Sequence, residues 1–411
     1  MRGATLLLRF FLVFFLAKLL EPSDLGVYGL VGGAVAFSLY VIGLDFYVYS
    51  NRELLELEKK SWGRYLKGQV ALSSGMYGVF LLVMFFLAEY AAYSKEVVAW
   101  MSALALLEFC CQELNRLHVI TAEPLFSSFV LFIRQGLWIV VAILLMATSS
   151  EMRNINTVFI CWSLACVLAL AISIKRITQL NIGGWKESID WAWVFNGVKT
   201  SLFFLVGTLS IRALLTFDRF YFESLMGVES VGVYVFYIGV ASALMTFLDA
   251  GVFVFAYPDL IRYFNEKKHD LFKRKIAGML GQVCIASLLF TVISLIALPW
   301  LVEWISKPAY DRFSFLYFWL LGAMILYGLS MVPHYGLYAI RKDVHILASH
   351  VFGFIGFFLG VFFLRDVLYR HELVVPIALC ASFFMVLAIK SVLFVRFYLI
   401  GVGSINGVGS R

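Results

Sequence analysis

Charge is what this chain has least of. Only 14% of its 411 residues are Asp, Glu, Lys or Arg, while 62% are apolar. Soluble domains run at about a quarter charged and about half apolar, so too few polar side chains exist here to cover a water-facing surface. The shortage excludes a soluble enzyme or a DNA-binding protein and leaves an integral membrane protein with many spans. Paired cysteines are missing too. Cys110, Cys111, Cys161, Cys166, Cys284 and Cys380 all fall in apolar runs with no Cys-x-x-Cys pair, which implies neither zinc nor a disulfide framework. They read as small core residues. No Walker A sequence and no His-Glu-x-x-His site occurs, and the six histidines are scattered, as expected of interfacial or packed side chains. No metal and no cofactor is expected.

What is present is apolar helix. Mean hydropathy is +0.90, and at about 20 residues per span the length allows about twelve spans. Runs bounded by charge and turn residues place them at about 3–20, 26–49, 70–90, 97–117, 124–147 and 155–174. A second set follows at about 199–219, 230–256, 276–298, 313–338, 344–364 and 373–395. The first run resembles a signal peptide, but Arg9 interrupts it, Lys18 follows it, and no small-x-small cleavage site precedes Glu21-Pro22-Ser23-Asp24. It is read as a retained helix. The long charged connections are expected at 51–69, 175–198 and 258–275.

With both termini cytoplasmic, about 22 cations lie on the inner side and about 6 on the outer, the bias that orients membrane proteins. The inner set includes Arg52, Lys59, Lys60, Arg64, Lys390 and Arg396. It also includes the basic stretch Lys267 to Lys275, expected as a loop held at anionic lipid heads. The outer loops are all short, which leaves little room for a membrane glycan polymerase or ligase. A nucleic-acid partner is not expected.

The chain repeats itself at about half its length. Leu25-Gly26-Val27-Tyr28 matches Val231-Gly232-Val233-Tyr234, each after a short acidic turn. Ser38 and Asp45, seven residues apart, match Ser242 and Asp249. Both copies run in the same sense, so the halves form a parallel repeat about an axis along the membrane normal, typical of transporters with a substrate path between halves. The expected organisation is a six-helix lobe at 1–180, a cytoplasmic inter-lobe loop at 181–198, a second six-helix lobe at 199–396 and a flexible tail at 397–411. The fold class is all-α, polytopic, with the two lobes around a central cleft.

The stretch from Leu16 through Glu21-Pro22-Ser23-Asp24-Leu25-Gly26-Val27-Tyr28, with Leu44-Asp45, resembles the opening of the polysaccharide flippases. These belong to the multidrug/oligosaccharidyl-lipid/polysaccharide (MOP) exporter superfamily. Asp218-Arg219-Phe220 and Gly232-Val233-Tyr234 resemble the same family's seventh and eighth helices. Its Leu-Asp-x-Gly ending is kept as Leu248-Asp249-Ala250-Gly251 and departs to Leu44-Asp45-Phe46-Tyr47 in the first copy. The resemblance implies a bacterial inner-membrane flippase for undecaprenyl-pyrophosphate-linked O-antigen, capsule or exopolysaccharide units, with polysaccharide polymerase machinery as a partner. A multidrug exporter of the same superfamily is the alternative.

Charges within spans are the candidate site, because each costs about 2.5–3.5 kcal/mol at the bilayer centre. At about 100° per residue, Ser201, Thr208, Arg212 and Arg219 fall within about 40° of one another. That stripe reads as a cavity wall attracting an anionic headgroup, or as Arg212 and Arg219 paired with Asp218 or Asp249. Arg134 is a further cavity cation. Arg9 and Lys18 point in opposite directions, Arg9 being the cavity candidate and Lys18 a snorkelling side chain. Glu108, Gln112, Asn115 and Arg116 form another stripe, read either as substrate contact or as a Glu108–Arg116 pair. Asp45, Asp249 and Glu108 are the candidates for coupling to a proton or sodium gradient, against simple capping and pairing near the loops. Gly29–Gly33 and Gly353, Gly356 and Gly360 are expected to let helices pack closely.

Overall fold

A computed structural model describes residues 1–90 and 93–406, the side chains of 2, 203, 204 and 399–406 excepted. Among the described residues the secondary structure is helical throughout, with no strand. The first half runs α1 (Arg2–Leu19), α2 (Pro22–Gly43), the short α3 (Tyr47–Glu56), α4 (Trp62–Tyr90), α5 (Lys95–Ile120), α6 (Pro124–Thr148) and α7 (Ile155–Thr178). The second runs α8 (191–226), α9 (228–265), α10 (His269–Ile305), the short α11 (Pro308–Arg312), α12 (Leu316–Ala339), α13 (Asp343–Val367) and α14 (Val374–Asn406). Ten helical stretches are long and apolar enough to cross a membrane. One of them, Leu205–Asn265, carries two passes. Counting both gives eleven, and the 18-residue α1 precedes them, in keeping with the expectation of about twelve.

Helix starts follow local chemistry. Pro22 opens α2 and Pro124 opens α6, where a missing N–H costs nothing. Ser94 and Asn154 cap α5 and α7, accepting from the N–H groups of Val97 and Thr157. α8 and α9 meet at Gly227, whose φ of 78° and ψ of 165° only glycine adopts freely.

The helices are longer than their apolar runs. The connection expected at 258–275 is reduced to a turn at 266–268, because charged residues continue the helices on both sides. Lys273, Arg274 and Lys275 stand in the first turns of α10, and Lys275 pairs with Asp259 at 2.8 Å. Likewise α4 begins at Trp62 within the connection expected at 51–69, and α3 occupies its first part. The last helix extends into the segment expected as a tail, of which 407–411 lie outside the described residues.

The chain divides into two compact units, Met1–Arg212 and Ala213–Arg411, with the division inside α8. In the second unit α13 packs on α14 through small residues. A Cβ on Gly353 would lie 2.3 Å from Val386, and one on Gly360 would lie 3.2 Å from Ala378. Close approach is the reason for glycine there. Of the cysteines, Cys111, Cys161 and Cys166 are buried, but Cys284 is exposed on α10. A small apolar thiol is tolerated on a lipid-facing surface as well as in a core.

In the first unit the segment expected as a loop is fastened down. Gly183 donates its N–H to the Lys59 carbonyl at 3.1 Å, and Gly63 donates to the Gly183 carbonyl at 2.7 Å. Arg64 pairs with Asp190 at 3.1 Å, and Lys67 donates to the Glu187 carbonyl. Trp193 then sits against Phe46, Tyr49 and Tyr65, with ring centroids 4.9–5.3 Å away. A Cβ on Gly183 would fall 2.5 Å from the Lys60 carbonyl oxygen. Gly183→Ala is therefore expected to cost about 1–3 kcal/mol, read as a lower thermal midpoint in detergent. An unchanged midpoint would show that the segment is not held by these contacts.

Candidate functional site

The candidate charges of the first unit form two groups. The deeper one is centred on Glu108 of α5 and Arg134 of α6, both 4% exposed, with Arg134 Nε 3.3 Å from the Glu108 carboxylate. Glu108 also accepts from the Trp162 indole N–H at 2.7 Å, and Trp162 stacks on Trp138 at 5.7 Å. Arg134 lies in a π-helical turn, Ile133–Leu137, within α6. The extra residue in such a turn shifts the side chains that follow around the axis. Gln135, next in sequence, accepts from Arg9 of α1 at 3.2 Å, and Arg9 is exposed. Arg9, Gln135, Arg134 and Glu108 thus follow one another from exposed to buried. Glu108 pairs with Arg134, so the alternative Glu108–Arg116 pair does not form. Arg116 is held by Glu113, one turn before it, and Glu113 also accepts from Gln69 at 2.6 Å.

The second group surrounds Asp45. α2 ends with Leu44 and Asp45 both left-handed, at φ 49° and 50°. For residues other than glycine this conformation costs about 1–2 kcal/mol each, so surrounding contacts must hold it. Asp45 is buried at 4% exposure and hydrogen-bonded to Thr208 of α8, with Arg116 and Arg212 attracting its charge. Phe46, the next residue, is locked in the Trp193 cluster. Arg212 is exposed, and its guanidinium lies 5.2 Å from the centre of the Tyr40 ring. The Arg116 guanidinium lies 3.5 Å from the centre of the Tyr47 ring. Burial pushes the Asp45 carboxyl above the usual carboxylate range, outweighing the Thr208 hydrogen bond and the two arginines.

In the second unit Arg219 is 3.6 Å from the fully buried Asp218 and donates to the Leu215 carbonyl at 3.1 Å. Asp218 accepts from Tyr234 at 2.7 Å, which ties the Asp218-Arg219 and Gly-Val-Tyr matches of the sequence into one contact. Asp249, repeat partner of Asp45, is exposed and opens a second π-helical turn, Asp249–Phe253. Three bases were not singled out by the sequence. Lys390, counted above with the inner-face cations, is fully buried within α14, and the His334 and His350 rings lie parallel at 6.0 Å. Among the described residues, no group of three or more His, Cys, Asp or Glu side chains is placed to hold a metal ion.

No family profile matches the chain, and no curated protein matches it in sequence. Solved structures do. An inward-facing multidrug resistance MATE family transporter of the MOP superfamily superposes with a TM-score of 0.78 over 95% of this chain and 94% of its own, at 10% identity. The fold is that of a MATE transporter. An outward-facing MATE transporter matches with a TM-score of 0.57 over 96% of this chain and 93% of its own, at 10% identity. A MOP superfamily transporter from Pyrococcus furiosus, described as having a binding pocket of reverse polarity, matches at 0.50 over 96% and 87%, at 12% identity. At such identities the MATE likeness is one of fold.

Two outcomes are expected. Glu108→Gln leaves Arg134 buried without its counter-charge and should destabilise by about 3–5 kcal/mol. The double variant Glu108→Leu with Arg134→Met should recover most of that loss in the same unfolding assay. Asp45 contributes stability as a neutral acid, present at low pH and lost as pH rises through its raised folded value. Asp45→Asn removes the buried charge, so its thermal midpoint should gain on the parent more at pH 7 than at pH 4. A gain confined to pH 4 would reverse the sign.

Proposed function

We propose that the chain is a flippase carrying undecaprenyl-pyrophosphate-linked oligosaccharide units from the cytoplasmic to the periplasmic leaflet of a bacterial inner membrane, by alternating access. The observation that carries this reading is Arg212. It is an exposed guanidinium on a long apolar helix, lying over Tyr40 and one helical turn from the Thr208 hydrogen bond to Asp45. Arg134 and Arg219 lie beside carboxylates, at 3.3 and 3.6 Å. Arg212 meets Asp45 at longer range, which leaves its forked donors suited to a pyrophosphate. Arg9, also exposed, adds a second cation of the same kind. Alternating access is supported by the likeness to MATE transporters described as inward-facing and outward-facing. The sugar chain and headgroup would pass along the protein while the prenyl tail stays in lipid.

A second reading, export of drugs, is favoured by the description of those two transporters as multidrug resistance proteins. Cationic drugs call for unpaired acids, and here Glu108 and Asp218 are already engaged by Arg134, Tyr234 and Arg219.

The test is surface glycan in the native host. A stably expressed Arg212→Ala variant should lower surface polysaccharide by at least about tenfold, as expected for loss of a charge-assisted contact, with lipid-linked single units accumulating on the cytoplasmic leaflet. Arg212→Lys should restore part of it. Full glycan with new drug sensitivity would favour the second reading.

A further inference from the structure

The first unit carries a cavity that the headgroup contacts above do not use. Its volume is about 750 Å³, and it lies where α6 begins and α7 ends, against the turn at 121–123. With the orientation expected from the charge bias, this is the cytoplasmic end of both helices. One wall is apolar, made by Leu125, Phe126 and Phe129 of α6 and Ile172 of α7. The other is polar, made by Glu123, Lys175, Arg176 and Gln179.

Within the polar wall the acid is already answered. Glu123 accepts from Arg176 Nε at 2.9 Å and lies 3.6 Å from Nδ1 of the fully buried His118. Arg176 also donates to Gln179 at 3.1 Å, and its guanidinium lies 6.0 Å from the centre of the Phe126 ring. Lys175 is exposed and forms no ion pair among the described residues. Two cations thus stand against one acid, an excess of one positive charge. The first turn of α6 borders the cavity and adds the positive end of the helix dipole.

What fits such a cavity is set by what lies beyond its apolar wall. On α7, Ile160, Leu164, Leu168 and Ile172 recur at every fourth residue, and the next position is Arg176. The first three are exposed. Leu125 is 85% exposed, although it stands at the start of a helix long enough to cross a membrane. An apolar stripe on a spanning helix that ends in cations matches the two parts of a phospholipid, acyl chain and phosphate. A soluble anion would leave Leu125, Phe129 and Ile172 uncovered. A zwitterionic lipid would bring its own cation and leave the excess charge of Lys175 unanswered. We propose that the cavity holds one anionic phospholipid, with its headgroup phosphate on Lys175 and Arg176 and an acyl chain along Phe129, Ile172 and Leu168. This site is independent of the flippase reading, because nothing in it requires transport.

The test places the full chain in lipid nanodiscs that contain phosphatidylglycerol or phosphatidylcholine with a photoactivatable diazirine on the acyl chain. Labelled peptides are then located by mass spectrometry. The stretches 124–132 and 168–176 should carry more phosphatidylglycerol than phosphatidylcholine label. Lys175→Gln should lower that preference about fivefold, as expected for loss of one cation near an anionic headgroup, and Lys175→Arg should keep it. Gln179→Glu, which adds an acid to the polar wall, should lower it too. Equal labelling by the two probes overturns the proposal, as does a preference that survives Lys175→Gln. Labelling abolished by excess glycerol 3-phosphate overturns it as well, since the cavity would then take a soluble phosphate.

Discussion

The ion pair between Glu108 and Arg134, at 3.3 Å and 4% exposure on each side, sets the pattern for the first unit. A lone charge in that interior costs several kcal/mol, and a pair repays this only if its remaining donors and acceptors are met. Trp162 donates to one carboxylate oxygen and Arg134 Nε lies 3.3 Å from the other, while Arg134 Nε and Nη1 have no hydrogen-bond partner. The carboxylate is thus better satisfied than the guanidinium that neutralises it. Asp218 meets the same demand in the second unit through Tyr234 and Arg219. Around Asp45 it is met by Thr208 with more distant arginines.

Pairing of this kind separates structural charges from available ones. Arg134 and Arg219 each lie near a carboxylate, and exchanging that partner for a ligand would leave a buried acid behind. Arg212 and Arg9 are exposed, and among the described residues they meet a ring, a more distant acid and a neutral amide. A ligand can engage them without stripping a carboxylate of its counter-charge. Under the flippase proposal, they are the candidate cations on which an anionic headgroup would act at least cost.

Much of the fold was legible in the sequence because hydropathy and charge bias are properties of whole segments. About twelve passes and their order follow the apolar runs, and the contact between Tyr234 and Asp218 joins two stretches that carry the family resemblance. The pairings were not legible. A stripe drawn at 100° per residue assumes an unbroken α-helix, and α6 departs from that geometry at the turn that carries Arg134. Glu113 stands three residues from Arg116, a spacing that signals a pair, and it is this neighbour, not Glu108, that Arg116 meets. The burial of Lys390 was not legible for a simpler reason. Its helix continues past the apolar run to Asn406, and its side chain packs into the interior of the second unit.

The two repeat aspartates show how far the halves have diverged in use. The copy that lost the glycine of Leu-Asp-x-Gly breaks its helix in two left-handed residues and buries Asp45 against Thr208. The copy that kept Gly251 continues as a π-helical turn and leaves Asp249 exposed. Glycine is the residue that tolerates a left-handed turn, so the break at Leu44–Asp45 is not explained by local propensity. It is held instead by tertiary contacts, with Phe46 pinned in the Trp193 cluster and Asp45 tied to α8. A strained turn fixed at both sides by packing and by a buried carboxyl has two electrostatic states, charged and neutral. The contact of Asp45 with Thr208 and Arg212 must differ between them.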